Sequence, residues 1–193
     1  MRRDTARQRC TPTPPGSNHN DLMFRLMPEK PEDGPEVEWL LDLAFAPGRG
    51  ALSSYQLRRD VAPISELSSV VRDEYDVLAG CIRYWPVQIG EQSAPALLLG
   101  PVAVHPTRQG EGLGALLIIE TLDIASNLGW NRVLLIGDEP YYRRFGFARE
   151  LTSDLDFPRP YNPERLLGHE LVPDAFKSCS GMVQRWRDDA TED

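Results

Sequence analysis

The sequence predicts an α/β protein of the α+β kind, with a mixed, mostly antiparallel central sheet of about seven strands flanked by about four helices. Three observations lead there. Short apolar runs bounded by turn residues follow one another directly in the first half, the habit of antiparallel strands. Residues 97–147 break that habit: an apolar run, a glycine-rich turn, an amphipathic helix pattern and a second apolar run make a βαβ order. The 193 residues are enough for one domain with a real core and too few for two comfortable ones.

The elements follow in order. Residues 22–27 read as a short strand. Glu32, Asp33, Gly34 and Pro35 turn into a helix whose apolar face is Val37, Leu40, Leu41, Leu43 and Ala44, ended by Pro47 and Gly48. Residues 53–60 form a second short helix opening at a Ser cap. Residues 67–72 and 77–87 are strands of a hairpin around Asp73–Asp76, and residues 90–93 are a further turn. Residues 94–104 are a long apolar strand. Residues 113–128 are a helix with Ala115, Ile118, Ile119, Leu122, Ala125 and Gly129 on one stripe. Residues 132–136 are a buried strand, and residues 139–145 a short helix with Asp138 as N-cap and Pro140 in its first turn. Two late strands are expected at 168–171 and 178–185. Residues 1–20, rich in Pro, Thr, Ser, Asn and Arg, read as a disordered leader, and residues 188–193 as an acidic tail, leaving 21–187 as the domain.

Composition narrows the function classes. The net charge is −8, and the leader carries four arginines against one aspartate, so the body is more acidic still. That argues against nucleic acid as the main partner. No apolar stretch is long enough to span a bilayer, and the N-terminus has no apolar signal region. Cys10, Cys81 and Cys179 are odd in number and lack metal-ligand spacing, so no metal is expected and a reduced, cytoplasmic protein is the reading. Cys81 and Cys179 fall in expected strands and read as packing residues.

Chemistry concentrates in Arg108-Gln109-Gly110-Glu111-Gly112-Leu113-Gly114-Ala115. The alternating glycines let the backbone approach a ligand closely. The amides of residues 110–115, at a helix start, suit a pyrophosphate. A P-loop needs Gly-Lys-Ser/Thr, and Leu113 and Gly114 stand there instead. Gly110, Gly112 and Ala115 match the dinucleotide fingerprint G-x-G-x-x-A, but five residues, His105 to Gln109, separate the first glycine from its strand. No second mononucleotide half follows either. The third class is coenzyme A. Gln109, Gly112 and Gly114 read as Q-x-x-G-x-G after a strand ending L-L-G-P-V-A-V.

This arrangement resembles the acyl-CoA-binding motif of the GNAT superfamily of N-acetyltransferases. The segment Gly137-Asp138-Glu139-Pro140-Tyr141-Tyr142-Arg143-Arg144-Phe145-Gly146-Phe147 looks like the signature of a bacterial branch of predicted acetyltransferases within it. The resemblance covers roughly residues 22–186 and implies a GNAT fold. It implies that the strands at 94–104 and 132–136 are parallel and splay apart, with the pantetheine arm of acetyl-CoA between them. Gly100-Pro101 marks an edge or bulge on its own terms, because proline donates nothing to a ladder. A bulge frees N–H groups near Val102, Ala103 and Val104, one of which could stabilise the oxyanion. The resemblance assigns the pyrophosphate to Arg108, Gln109, Gly110, Glu111, Gly112, Leu113, Gly114 and Ala115. It brings Tyr141 and Arg144 to the cofactor, with Arg143 as a further phosphate candidate. Tyr142 becomes the general acid toward the thiolate leaving group.

The general base is not specified. The strand at 94–104 carries no carboxylate. Asp138 reads as a helix cap, His105 faces the loop, and His169 and Asp156 are guesses on the acceptor side. The resemblance therefore implies acetyl transfer to a primary amine, small molecule or peptide, by direct attack on the thioester. A non-catalytic acyl-CoA-binding regulatory module is the alternative, and a nucleotide-binding oxidoreductase fragment a third reading that the strand order disfavours. A homodimer is compatible with the sequence but not specified by it. Residues 44–60 and 152–173 are expected to shape the acceptor side, where Asp154, Asp156 and Glu164 hint at a cationic acceptor.

Overall fold

The computed structural model describes residues 24–45 and 48–187. The expected leader, the acidic tail, Cys10 and Pro47 lie outside them. Eight strands form the sheet: β1 (Phe24–Pro28), β2 (Ser69–Asp73), β3 (Leu78–Ile89), β4 (Ala94–Val104), β5 (Arg132–Ile136), β6 (Leu155–Asp156), β7 (Leu166–Glu170) and β8 (Gly181–Arg185). The α-helices are α1 (Gly34–Phe45), α2 (Ser53–Gln56), α3 (Leu113–Asn127) and α4 (Glu139–Tyr142). Strand order is β1-β2-β3-β4-β5-β7, with β8 against β3 and β6 against β8. Only β4–β5 and β6–β8 are parallel. The sheet is thus the mixed, mostly antiparallel one expected.

Each face of the sheet carries a core. On one, Leu113, Leu117, Ile118, Leu122 and Ala125 of α3 cover Ile82, Tyr84, Leu97, Leu99, Val133 and Leu135. The Tyr84 hydroxyl, buried with them, is satisfied by Thr121 Oγ1 at 2.8 Å. On the other, Val37, Leu40 and Leu41 of α1 pack on Val70, Cys81 and Ala103. Beside them Trp85, Leu98, Leu134, Phe157 and Phe176 form a second cluster on that face. No described helix is long and apolar enough to cross a membrane.

Several expectations shift. The buried stripe of α3 includes Leu113 and Leu117, while Ile119 is exposed; the helix turns its face by about one position to bring both leucines onto the sheet. Leu43 and Ala44 are exposed, because the buried face of α1 is complete at Leu41. The helix expected at 53–60 stops at Gln56 and runs into a turn in which Asp60 takes a φ of 59°. Its positional cap is Leu52; Ser53 makes no capping hydrogen bond. The helix expected at 139–145 divides into α4 and a 3-10 turn, Arg143–Phe145, closed by Gly146. The strand expected at 178–185 begins only at Gly181, so Cys179 sits in the preceding connection. Cys81 and Cys179 are buried and unpaired, and burial pushes the Cys81 thiol up to about 12.

Candidate active site

The two parallel strands touch only briefly. β4 and β5 pair at Leu97↔Val133 and Leu98↔Leu134 and at no later position. The cause lies in β4. Its register with β3 shifts between Ile82 and Tyr84, which puts a bulge at Gly100-Pro101. Gly100 takes a φ of 117°, a conformation that side chains resist. Beyond the bulge, His105 donates its N–H to Ala79 at 2.9 Å. Antiparallel pairs alternate between bonded and non-bonded, so Ala103 faces Cys81 with its peptide groups. Val102 and Val104 therefore turn theirs away from β3, into the space β5 has left. Of the three expected backbone positions, two face the gap and Ala103 faces the sheet.

That gap opens into a cavity of about 620 Å³. Leu99, Gly100, Pro101 and Val102 line it from β4, and Leu135 and Ile136 from β5 with Gly137 just beyond it. Tyr141, Tyr142 and Asp138 enter from α4 and its cap. The far wall is Phe45, Leu52, Ser53, Ser54, Tyr55 and Arg58 with Pro160, Tyr161, Asn162 and Arg165. The expected acceptor-side segments, 44–60 and 152–173, are thus the ones that supply the far wall.

Tyr142 is seated by a missing side chain. A Cβ at Gly137 would lie 2.3 Å from Tyr142 Cε2 and 2.9 Å from Leu135. The ring rests on Phe147 with centroids 5.9 Å apart. Burial, with Tyr141 and Asp138 adding to it, raises its phenol to about 12. At neutral pH it is a proton donor.

The glycine turn leads into α3 with Gly112 as positional cap, in the left-handed region at a φ of 83°. No side chain caps this end, and the first intrahelical bond is Leu116 N–H to Gly112 O. The amides of Leu113, Gly114 and Ala115 therefore have no partner within the helix. Gly114 gives room for α4: its Cβ would meet the Tyr141 hydroxyl at 3.1 Å. Arg144 stacks on Tyr141, with its guanidinium carbon 4.2 Å from the ring centroid. Arg108 is held by Asp73 at 2.8 Å and lies 3.9 Å from Glu111. Arg143 is paired with Glu139 and Glu150.

Comparison with known proteins bears on the fold that holds this cavity. The Acetyltransferase (GNAT) domain family matches residues 66–149, from the connection before β2 to just past the α4 segment. The uncharacterized N-acetyltransferase YhbS of Escherichia coli K12 is 29% identical over 156 residues, covering 81% of this chain and 92% of YhbS. The crystal structure of E. coli YhbS in complex with CoA superposes with a TM-score of 0.73, covering 86% of this chain and 91% of that one at 28% identity. Residues 66–149 thus carry the GNAT acetyltransferase domain pattern, on a fold shared with GNAT acetyltransferases. A GNAT acetyltransferase from Brucella melitensis, solved with acetyl-CoA, gives a TM-score of 0.62 at 28% identity, covering 89% of this chain and 99% of that one.

The base candidates separate cleanly. His105 stacks on Trp39 and bonds Thr107, outside the cavity lining. His169 lies against Phe147. Asp156 is engaged by the Tyr161 hydroxyl at 2.6 Å and the Phe157 amide. None lines the cavity. Asp138, expected as a cap, makes no side-chain capping bond; it pairs with Arg165 at 3.2 Å and is the one carboxylate in the described lining. The cap is unnecessary because its own carbonyl already accepts the amides of Tyr141 and Tyr142.

Arg58 is the residue sequence reading missed. Its guanidinium lies over Tyr55 at 4.5 Å and over Trp85 at 4.7 Å. Its Nε and Nη1 are enclosed without a hydrogen-bond partner. Each such donor costs roughly 1–3 kcal/mol in a finished core. The only signal available was Tyr55 three residues ahead, which is too common a spacing to read.

Proposed function

We propose that this GNAT protein transfers the acetyl group of acetyl-CoA to a primary amine by direct attack of the amine on the thioester. The observation that carries the reading is the early parting of β4 and β5, which leaves the Val102 peptide group on a cavity shared with Tyr142, and that of Val104 turned away from β3 further along the same edge. The co-substrate supplies an activated acyl group with a thiolate as leaving group. The residues present fit it: an open strand edge, a helix start with uncapped amides, and a cationic Arg144 beside Tyr141. The amides of the glycine turn and of α3 hold the pyrophosphate, helped by the helix dipole. Arg108 lends positive charge at the turn while Asp73 fixes its direction. Val102 N–H donates to the thioester oxygen as negative charge grows there. Tyr142 gives its proton to the departing sulfur. Asp138 is the proton acceptor for the amine, in place of the absent carboxylate on β4.

The buried, unpaired cysteines suit a reducing cytoplasm. The cavity is lined within one chain, so the reading requires no second copy. Titration calorimetry with acetyl-CoA and with NAD(P), followed by CoA release over a panel of amines, tests it. Acetyl-CoA binding with turnover is expected. Binding with no turnover of any amine would leave an acyl-CoA-binding regulatory module.

A further inference from the structure

We propose that the acceptor amine carries an anionic group, carboxylate or phosphate, and that Arg58 binds it. The inference rests on the acetyltransferase reading and names the acceptor class for the same cavity. Sequence alone hinted at a cationic acceptor, through Asp154, Asp156 and Glu164. None of these lines the cavity, and Asp156 is held by Tyr161. The charged side chains that do line it are Arg58, Arg165 and Asp138, and the last two pair with each other. The charge left over is that of Arg58.

The neighbouring arginines show what the chain does with a structural cation. Arg49 is bonded by Glu38 and Asp42 and by the Tyr55 hydroxyl. Arg83 is bonded by Glu29 and Glu38. Arg58 has no carboxylate within ion-pair distance among the described residues. Burial, with Arg49 and Arg83 nearby, draws its guanidinium down to about 10, against an opposing pull from Tyr55. It is still charged at neutral pH, and short of an anion. Aromatic faces hold the group flat and in place. They leave it in the cavity wall beside the β4 bulge, where a Cβ on Gly100 would stand 3.7 Å from Nη2. Val102, two residues further along β4, faces the reacting end. A zwitterion fits this layout: its anion on Arg58, its amine toward Val102 and Tyr142. A polycationic amine would meet an unpaired cation instead.

The test uses the full chain with L-amino acids beside their α-amides, and phosphoethanolamine beside ethanolamine. CoA release should favour the anionic member of one pair type by about tenfold or more in kcat/KM, since a site built for a polar group rejects the analogue lacking it. The pair that responds identifies carboxylate or phosphate. Arg58→Gln should erase the preference by raising the acceptor KM, with acetyl-CoA affinity by calorimetry unchanged. Arg58→Lys keeps the charge in the aromatic slot and should keep part of the preference; it carries the test if Arg58→Gln fails to fold. Neutral acceptors used as well as anionic ones, or a preference untouched in the variants, would overturn the inference. If acetyl-CoA binds but no amine turns over, the catalytic reading fails separately. Titrating the CoA-loaded protein with the same pairs then decides: anion binding weakened by Arg58→Gln supports the subsite, and no binding overturns it.

Discussion

The two sides of the cavity are made of different material. The β4–β5 side offers backbone: the Val102 peptide group in the cavity wall and, beyond the cavity, the uncapped first-turn amides of α3. The α1–α2 and 160–165 side works through side chains, above all Arg58, Tyr55, Tyr161 and Arg165. Backbone groups are the same in every protein. A chain can encode such a site only by controlling where the backbone is left free, and it does so with Gly100-Pro101, Gly112 and Gly114. The side-chain wall obeys no such grammar, so acceptors can change while the acyl donor stays the same.

The comparison can be broken from the backbone side first. Gly112→Asp puts a carboxylate and a resisted φ at the head of α3. Acetyl-CoA affinity should fall by at least about 100-fold, or about 2.7 kcal/mol. The fold should survive, since a Cβ there meets nothing within 4 Å. Calorimetry and circular dichroism check both halves, and unchanged affinity would remove the loop from the site. Tyr142→Phe should lower kcat by about 100-fold, with acetyl-CoA binding intact. Gly137→Ala reaches the same phenol indirectly. Its Cβ overlaps the Tyr142 ring, so kcat should drop by about tenfold and stability by about 1–3 kcal/mol. A normal melting temperature with full activity would show that the ring has another seat.

Asp138→Asn sharpens the comparison at the boundary of the two sides. kcat should fall by several-fold at neutral pH, with the deficit shrinking in alkali as the amine loses its own proton. A deficit that does not change with pH would leave Asp138 only its pair with Arg165. The smallest effect is on stability. Tyr142 keeps its proton to about pH 12 when folded, against 10 as an ordinary phenol. The stability tied to that difference is complete below pH 10 and lost as pH climbs through 12. Tyr142→Phe should therefore flatten part of the alkaline decline in denaturation midpoints over that window.

Much of the fold was legible. The bounds of β4 and β5 were read as they stand, because long apolar runs between turns admit few alternatives. β6 was missed: two residues carry no periodicity. The break in β4 was visible because proline and glycine state backbone geometry directly. The acceptor side was located only as segments. Arg58 gave no warning because its significance lies in the carboxylate that Arg49 and Arg83 possess and it does not, which is a fact of three-dimensional neighbours. Asp138 stands at the N-cap position as read, but its side chain does not do the capping: its own carbonyl takes the first-turn amides and Arg165 takes the carboxylate.

One edge of β3 is shared. Its first half pairs with β2, beginning at Ser69↔Ile82, and its second half with β8, at Val87↔Arg185 through Ile89↔Val183. The first partner is a hairpin neighbour; the second arrives nearly a hundred residues later. During synthesis, Val87–Ile89 can pair with β4 on one side, but the edge that faces β8 must wait while the whole glycine turn, α3 and β5 emerge from the ribosome. Such a distant closure is slow by its loop entropy. The vulnerable moment in the life of this protein is therefore before it ever meets a substrate, when an apolar strand edge is finished but its partner has yet to be made.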